Sequence, residues 1–190
     1  IDNNDNLLVA GLGGLSMLEL TAIDGPKAKN YLKNKLFKIF NINAVFKDSN
    51  DNIWVGTTTK GLYKLDGDTF KHVYFIRKNI FSTVNSIVEG NKGILWLSTD
   101  RGIVKYNSSK ETSIVYDQKE VLSNNDFRQN SGLKIKDHIY FGDFHGVTAF
   151  NPKKILKSTN VPKVILSDFK IKNEIVPITN EEGILSKSIN

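Results

Sequence analysis

Two markers recur along this chain at nearly one spacing, and that recurrence limits its possible folds more than any other feature. A large apolar or aromatic anchor inside a strand-like segment stands at Leu8, Trp54, Trp96 and Tyr140, separated by 46, 42 and 44 residues. The glycine that follows each anchor stands at Gly14, Gly61, Gly102 and Gly146, separated by 47, 41 and 44 residues. Two independent markers holding one period signify structural repeats of about 44 residues.

The clearest copy, DNIWVGTTTKGLYKL at 51–65, explains the unit. Ile53, Trp54 and Val55 are β-branched or aromatic, which suits a strand buried on both faces. Asn and Asp before them are turn residues that tolerate positive φ. Gly61 opens the return strand, where a tight hairpin needs a relaxed backbone. GLYKL, GIVKY and GVTAF then alternate apolar and polar residues, as half-exposed strands do. Apolar segments precede the hairpins, namely INAVFK at 42–47, VNSIVEG at 84–90 and SGLKIK at 131–136. An outer strand follows two of them, TFKHVYF at 69–75 and TSIVYD at 112–117.

Four short antiparallel strands in about 44 residues match one blade of a β-propeller. The sequence therefore predicts an all-β chain with blades near 42–76, 84–117 and 127–157, plus the two middle strands of an earlier blade. A closed ring needs at least about four blades. The expectation over 1–158 is thus a partial β-propeller, the C-terminal piece of a larger one. Beyond it the blade motif stops. VPKVILSDFKIKNEIVPI at 161–178 reads as two strands around a KNE turn, the start of a second β-domain over 159–190. The first residues show no basic and apolar leader and open mid-pattern, as an excised piece of a longer protein would.

Charge and composition exclude more than they identify. The net charge is +6, yet only Arg77, Arg101 and Arg128 of the 26 basic residues are arginine. Phosphate and base recognition leans on arginine forks, so the basic run at 25–40 reads as solvated surface and no nucleic-acid partner is expected. No run of eighteen apolar residues exists to span a membrane, so any membrane link lies outside these residues. The absence of cysteine excludes disulfide and thiolate chemistry and is silent on compartment.

The chemical motifs are weak. Trp54 and Trp96 sit mid-strand at a repeat position whose other occupants are Leu8 and Tyr140, so they read as core rather than as sugar platforms. DSNDN at 48–52 and DNNDN at 2–6 open like calcium loops but lack the glycine and glutamate that such loops require. His72, His138 and His145 lack zinc-ligand spacing. No catalytic constellation, metal site or cofactor is expected, and the chain reads as a binding module rather than an enzyme.

Binding residues are sought where a propeller gathers its loops. The connection between the second and third strands of a blade emerges on the same face as the start of its innermost strand. Here those loops are Thr58, Thr59 and Lys60, then Asp100 and Arg101, then Asp143, Phe144 and His145, with Asn85 and Asn130 near the inner-strand starts. Hydroxyls, amides, charges and one aromatic ring suit a polyol, which needs dense hydrogen bonding and a stacking face.

At these residues the chain resembles the two-component regulator propeller repeat. That repeat runs from a turn through Asn-Ile-Trp, a small residue and Gly-Thr to Gly-Leu and an aromatic or basic residue. DNIWVGTTTKGLYKLD at 51–66 follows it closely and GILWLSTDRGIVKYN at 93–107 follows it in part. HIYFGDFHGVTAFNP at 138–152 is similar to the family's last repeat, which ends in Asn-Pro. Residues 161–178 are similar to the triple-tyrosine immunoglobulin-like domain that follows such propellers. Leu8 and the GLGGL stretch depart from the pattern, as does EGNKGI at 89–94.

The resemblance covers about residues 1–178. It implies the periplasmic sensor region of an inner-membrane hybrid two-component system, of the kind found in gut Bacteroidetes. Such a region takes an oligosaccharide or other small glycan as ligand, acts as a homodimer, and relays the signal through the immunoglobulin-like β-sandwich to a histidine kinase. The rival expectations are a propeller that binds another protein without a small ligand, and a propeller of an extracellular polysaccharide lyase or hydrolase.

Overall fold

The computed structural model describes residues 6–11, 14–20, 25–30, 41–75, 82–116, 126–155, 170–172 and 174–175. The chain divides into two compact units, Ile1–Lys157 and Ser158–Asn190. All regular elements among the described residues are β-strands. None of these residues forms a helix long and apolar enough to cross a membrane.

The described residues of the first unit form four antiparallel sheets, each a meander in sequence order. The first contains β1 (Asn6–Gly11), β2 (Gly14–Glu19) and β3 (Lys27–Asn30). The second contains β4 (Ile42–Lys47), β5 (Ile53–Thr57), β6 (Leu62–Asp66) and β7 (Thr69–Val73). The third contains β8 (Val84–Glu89), β9 (Ile94–Thr99), β10 (Gly102–Asn107) and β11 (Thr112–Tyr116). The fourth contains β12 (Phe127–Ile135), β13 (His138–Asp143) and β14 (Val147–Phe150). The leading strands β4, β8 and β12 pack on one another, and each sheet runs outward from its leading strand. These are propeller blades, as the repeat period implies.

Hydrophobic burial sits between blades. Trp54 points from the second sheet to the third, joining Val84, Leu95 and Tyr106 in one core. Its neighbour Val55 points the other way, toward Leu15 of the first sheet. Trp96 repeats the pattern one blade later, packing with Phe141 and Ile139 of the fourth sheet. Successive side chains of a strand point to opposite faces, and here both faces are covered. That is why Ile53-Trp54-Val55 carries no polar alternation. Trp54 and Trp96 are each 1% exposed, so they are core.

Several elements differ from the sequence expectation. The first sheet has three described strands rather than two, because KAKN inside the basic run pairs with β2 along Ser16–Glu19. The strand pairs with β2 through its backbone, and lysine is common on sheet edges. Lys29 of that strand bonds Asp68 in the β6–β7 turn at 2.8 Å, tying two blades together at an exposed position. The leading strand of the last blade starts at Phe127, four residues before the apolar segment at 131–136. The return strand β10 is more buried than alternation predicts, with Ile103 and Val104 both fully covered.

In the second unit the described residues form one hairpin, β15 (Lys170–Ile171) and β16 (Glu174–Ile175). Lys172 of the expected KNE turn follows β15 at φ 48°, and Glu174 of that turn opens β16 and pairs with Ile171. The rest of the expected β-domain at 159–190, and residues 31–40 of the basic run, lie outside the described residues, as does Arg77.

Candidate functional site

One short motif builds the loop face three times. At the end of β5, the Thr57 N–H and hydroxyl both donate to Gly61 O, at 3.0 and 2.9 Å. At the end of β9, the Thr99 hydroxyl donates to Gly102 O at 2.8 Å. At the end of β13, the Asp143 N–H donates to Gly146 O at 2.9 Å. The same side-chain oxygens then accept from the turn: Lys60 N–H and Arg101 N–H to the threonines, both at 3.1 Å, and His145 N–H to Asp143 at 2.7 Å. Short polar side chains that bond their own turn favour this tight reversal. Gly61, at φ 75°, supplies the left-handed backbone that the return strand requires.

A second repeated bond ties each turn to the start of its blade's inner strand. Thr58 N–H donates to Asn41 O at 3.0 Å, Asp100 N–H to Thr83 O at 3.4 Å, and Phe144 N–H to Asp126 O at 3.3 Å. These acceptors immediately precede β4, β8 and β12. The turns and the inner-strand starts therefore share one face. The Thr83 hydroxyl also donates to Thr58 O, linking adjacent blades on that face.

The side chains there divide into builders and free groups. The Thr58 hydroxyl donates to Asn43 Oδ1 at 2.9 Å. Asn85 is 9% exposed and accepts from Asn43 Nδ2 at 3.5 Å. Asp100 accepts Thr83 N–H at 3.0 Å and the Ser82 hydroxyl, so it anchors the start of β8. The Asp143 carboxylate also takes the Thr148 hydroxyl at 3.3 Å. The Lys60 carbonyl accepts His72 Nε2–H at 2.8 Å. Thr59, Arg101, Asn130 and His145 are exposed, and Phe144 is 61% exposed.

A cavity of about 630 Å³ opens beside these groups, lined by Leu8, Asn41, Asn43, Val45, Gln129 and Asn130 among others. Asn41, Asn43, Arg128 and Gln129 were not foreseen. Asn43 and Asn85 did carry a trace, since they stand 42 residues apart, at the repeat period. Both are single bulged residues in the inner strands, lying between Ile42 and Ala44 and between Val84 and Ser86. A bulge re-aims a side chain out of the ladder. The opposite end of the blades holds the acidic turn. Asp48 there is 4% exposed and accepts from Asn50 N–H, Asn52 N–H and Trp54 Nε1–H. The DSNDN stretch thus serves its own turn and the tryptophan, while residues 2–5 lie outside the described residues.

Residues 41–59 match the family described as two component regulator propeller, and these are the residues of β4, its turn, β5 and the first rim positions. The chain carries the two-component regulator propeller repeat. It is 38% identical over 194 residues to histidine kinase P4 of Formosa agariphila, covering 100% of this chain and 14% of that protein. The repeat's fold is shared with the extracellular domains of two hybrid two-component systems of B. thetaiotaomicron. The first has 21% identity and a TM-score of 0.61, covering 80% of this chain and 20% of that one. The second has 16% identity and a TM-score of 0.59, covering 78% of this chain and 20% of that one. This regulator propeller segment therefore spans only a small part of each relative, and at these identities the structures speak to fold alone.

Proposed function

We propose that this chain belongs to the extracytoplasmic ligand-sensing region of a hybrid two-component sensor kinase, and that its loop face binds glycan fragments. The observation that carries the reading is the repeated turn-to-inner-strand bond, which brings exposed hydroxyl, amide, guanidinium and aromatic groups to one face beside a cavity. Sugars bind where many hydrogen-bonding groups converge around an apolar or aromatic surface. The 38% identity to a histidine kinase of Formosa agariphila supports the sensor role. The chain acts as a receptor rather than a catalyst, without cofactor or metal. Residues after Ser158 begin an immunoglobulin-like domain that passes the signal, in a homodimer, toward a kinase across the inner membrane.

The test is a glycan-fragment panel scored by calorimetry on the full-length protein, wild type against Arg101→Ala and His145→Ala. Weakened binding at an unchanged melting temperature supports the face. Glycan binding that ignores both substitutions rejects these positions. If the full-length protein binds no glycan but captures a protein partner through the same loops, the interaction-module reading replaces this one.

A further inference from the structure

The last blade departs from the others at its inner strand. In β4 and β8 one extra residue, Asn43 or Asn85, loops out of the ladder. In β12 the pairing jumps from Phe127 with Asp143 to Gly132 with Phe141, so residues 128–131 stand opposite Gly142 alone. Three residues therefore project where the earlier blades project one. Asn130 turns this finger at φ 49°. Both ends are pinned. The Ser131 hydroxyl lies within hydrogen-bonding distance of two carbonyls that share its one proton, Arg128 O at 2.7 Å and Gly142 O at 3.0 Å, and Ser131 N–H donates to Ser86 Oγ at 2.7 Å.

The finger delivers Arg128 to the rim. Its Cζ lies 3.3 Å from the centroid of the Phe144 ring, which restrains the guanidinium, and the next two residues, Gln129 and Asn130, line the cavity. Arg101 stands on the turn of the preceding blade, its backbone fixed by Thr99 and its side chain exposed. Both described arginines of a chain with 23 lysines thus belong to one rim. Neither forms an ion pair among the described residues. The rim carboxylates of Asp100 and Asp143 are already engaged by Thr83 and Ser82 and by His145 and Thr148. Asp126, exposed and two residues before Arg128, is bonded through its carbonyl to Phe144 rather than paired with either arginine.

Arginine's planar fork matches a two-oxygen anion in a way that lysine's point charge does not. We infer that the Arg128–Asn130 finger and Arg101 form a subsite for an oxyanion carried by the glycan, a uronic carboxylate or a sulfate ester, while the exposed amides of Gln129 and Asn130 meet its hydroxyls. This rests on the glycan reading of the same face.

The experiment measures affinity of the full-length protein for an oligogalacturonate, a sulfated galacto-oligosaccharide and a neutral galacto-oligosaccharide, with inorganic sulfate as the free anion. One charged oligosaccharide should bind best, and which one identifies the anion. Arg128→Lys, which keeps the charge but loses the fork, and Arg101→Ala should each weaken that binding about tenfold or more, with little effect on the neutral sugar. Binding of the neutral oligosaccharide as tight as the charged ones, unmoved by either substitution, overturns the subsite and leaves the glycan reading intact. Inorganic sulfate binding as tightly as the oligosaccharide overturns it too. No binding by any sugar sinks both. Should Arg128→Ala disturb folding, the lysine variant and the turn-tip Arg101 still decide the matter.

Discussion

Lys64 lies over the ring of Trp54, its ammonium nitrogen 5.5 Å from the ring centroid, and the two residues pair directly across β5 and β6. Lys105 holds the same place over Trp96 at 5.7 Å. Where the anchor is not tryptophan the lysine is absent too: Leu8 pairs with Met17, and Tyr140 with Ala149. The pair is one element of the repeat, an indole turned into the core with a cation on the face that the core leaves open.

The two members should therefore contribute unequally. Trp54→Ala opens a void between two blades and should cost about 3–5 kcal/mol, by the usual range for core aromatics. Lys64→Met keeps the aliphatic stem over the ring and loses only the cation, so about 1 kcal/mol or less is expected. Chemical denaturation of both single variants and the double variant checks this. A coupling energy near zero would show that the lysine merely crosses the ring.

Asp48 carries a pH-dependent part of the stability. Burial opposes its charge, but hydrogen bonds from the Asn52 amide, the Trp54 indole and the backbone N–H groups of Asn52 and Asn50 outweigh that, holding the carboxyl below its usual range. A depressed pKa means that the unfolded chain takes up the proton first as pH falls. The contribution is thus complete above the ordinary aspartate value of about 3.9 and is lost as pH drops through the lower folded value. Asp48→Ala, which strands the indole N–H and two backbone donors, should cost about 1–3 kcal/mol near neutrality. Melting temperatures from pH 7 down to 3 should fall in the wild type, and the gap between wild type and variant should close at the acid end.

Gly90 occupies the place of Asp48 one period later, 42 residues on, and solves the same turn differently. A Cβ there would lie 2.7 Å from Trp96 Nε1 and 2.9 Å from Cδ1 of a ring that is 1% exposed. The ring therefore stands in the space a side chain would need, and its Nε1 finds no acceptor among the described residues. Gly90→Ala should cost about 1–3 kcal/mol through overpacking. A lowered melting temperature with a shifted tryptophan emission would report the displaced ring, whereas an unchanged emission maximum would mean that the turn yields instead.

The blades and their tryptophan cores were legible because between-blade packing imposes residue type at fixed spacing, as at Trp54 and Trp96. The rim loops were legible for a related reason, since Gly61 and Gly102 mark where each strand must reverse. The β3 strand was not, because KAKN pairs along the β2 backbone without the apolar residues that mark the other strands. The finger at Arg128 was hidden as well. A register shift changes which residues project without changing their chemistry, so its three extra residues left no mark on the spacing of Tyr140 and Gly146.

Within the rim, Asp100 and Arg101 are adjacent in sequence and should separate cleanly by experiment. The Asp100 carboxylate holds the Thr83 N–H and the Ser82 hydroxyl at the start of β8, so Asp100→Ala removes acceptors that shape the turn. Because this residue is exposed, water replaces part of what is lost, and about 0.5–1.5 kcal/mol is expected rather than a buried-group penalty. Arg101 contributes only its backbone N–H to the fold, through Thr99, so Arg101→Ala should stay within about 0.5 kcal/mol of wild type. Thermal unfolding of the two variants side by side checks the division. If Arg101→Ala proves the more destabilising, the guanidinium belongs to the framework of the rim and is not free to meet a ligand.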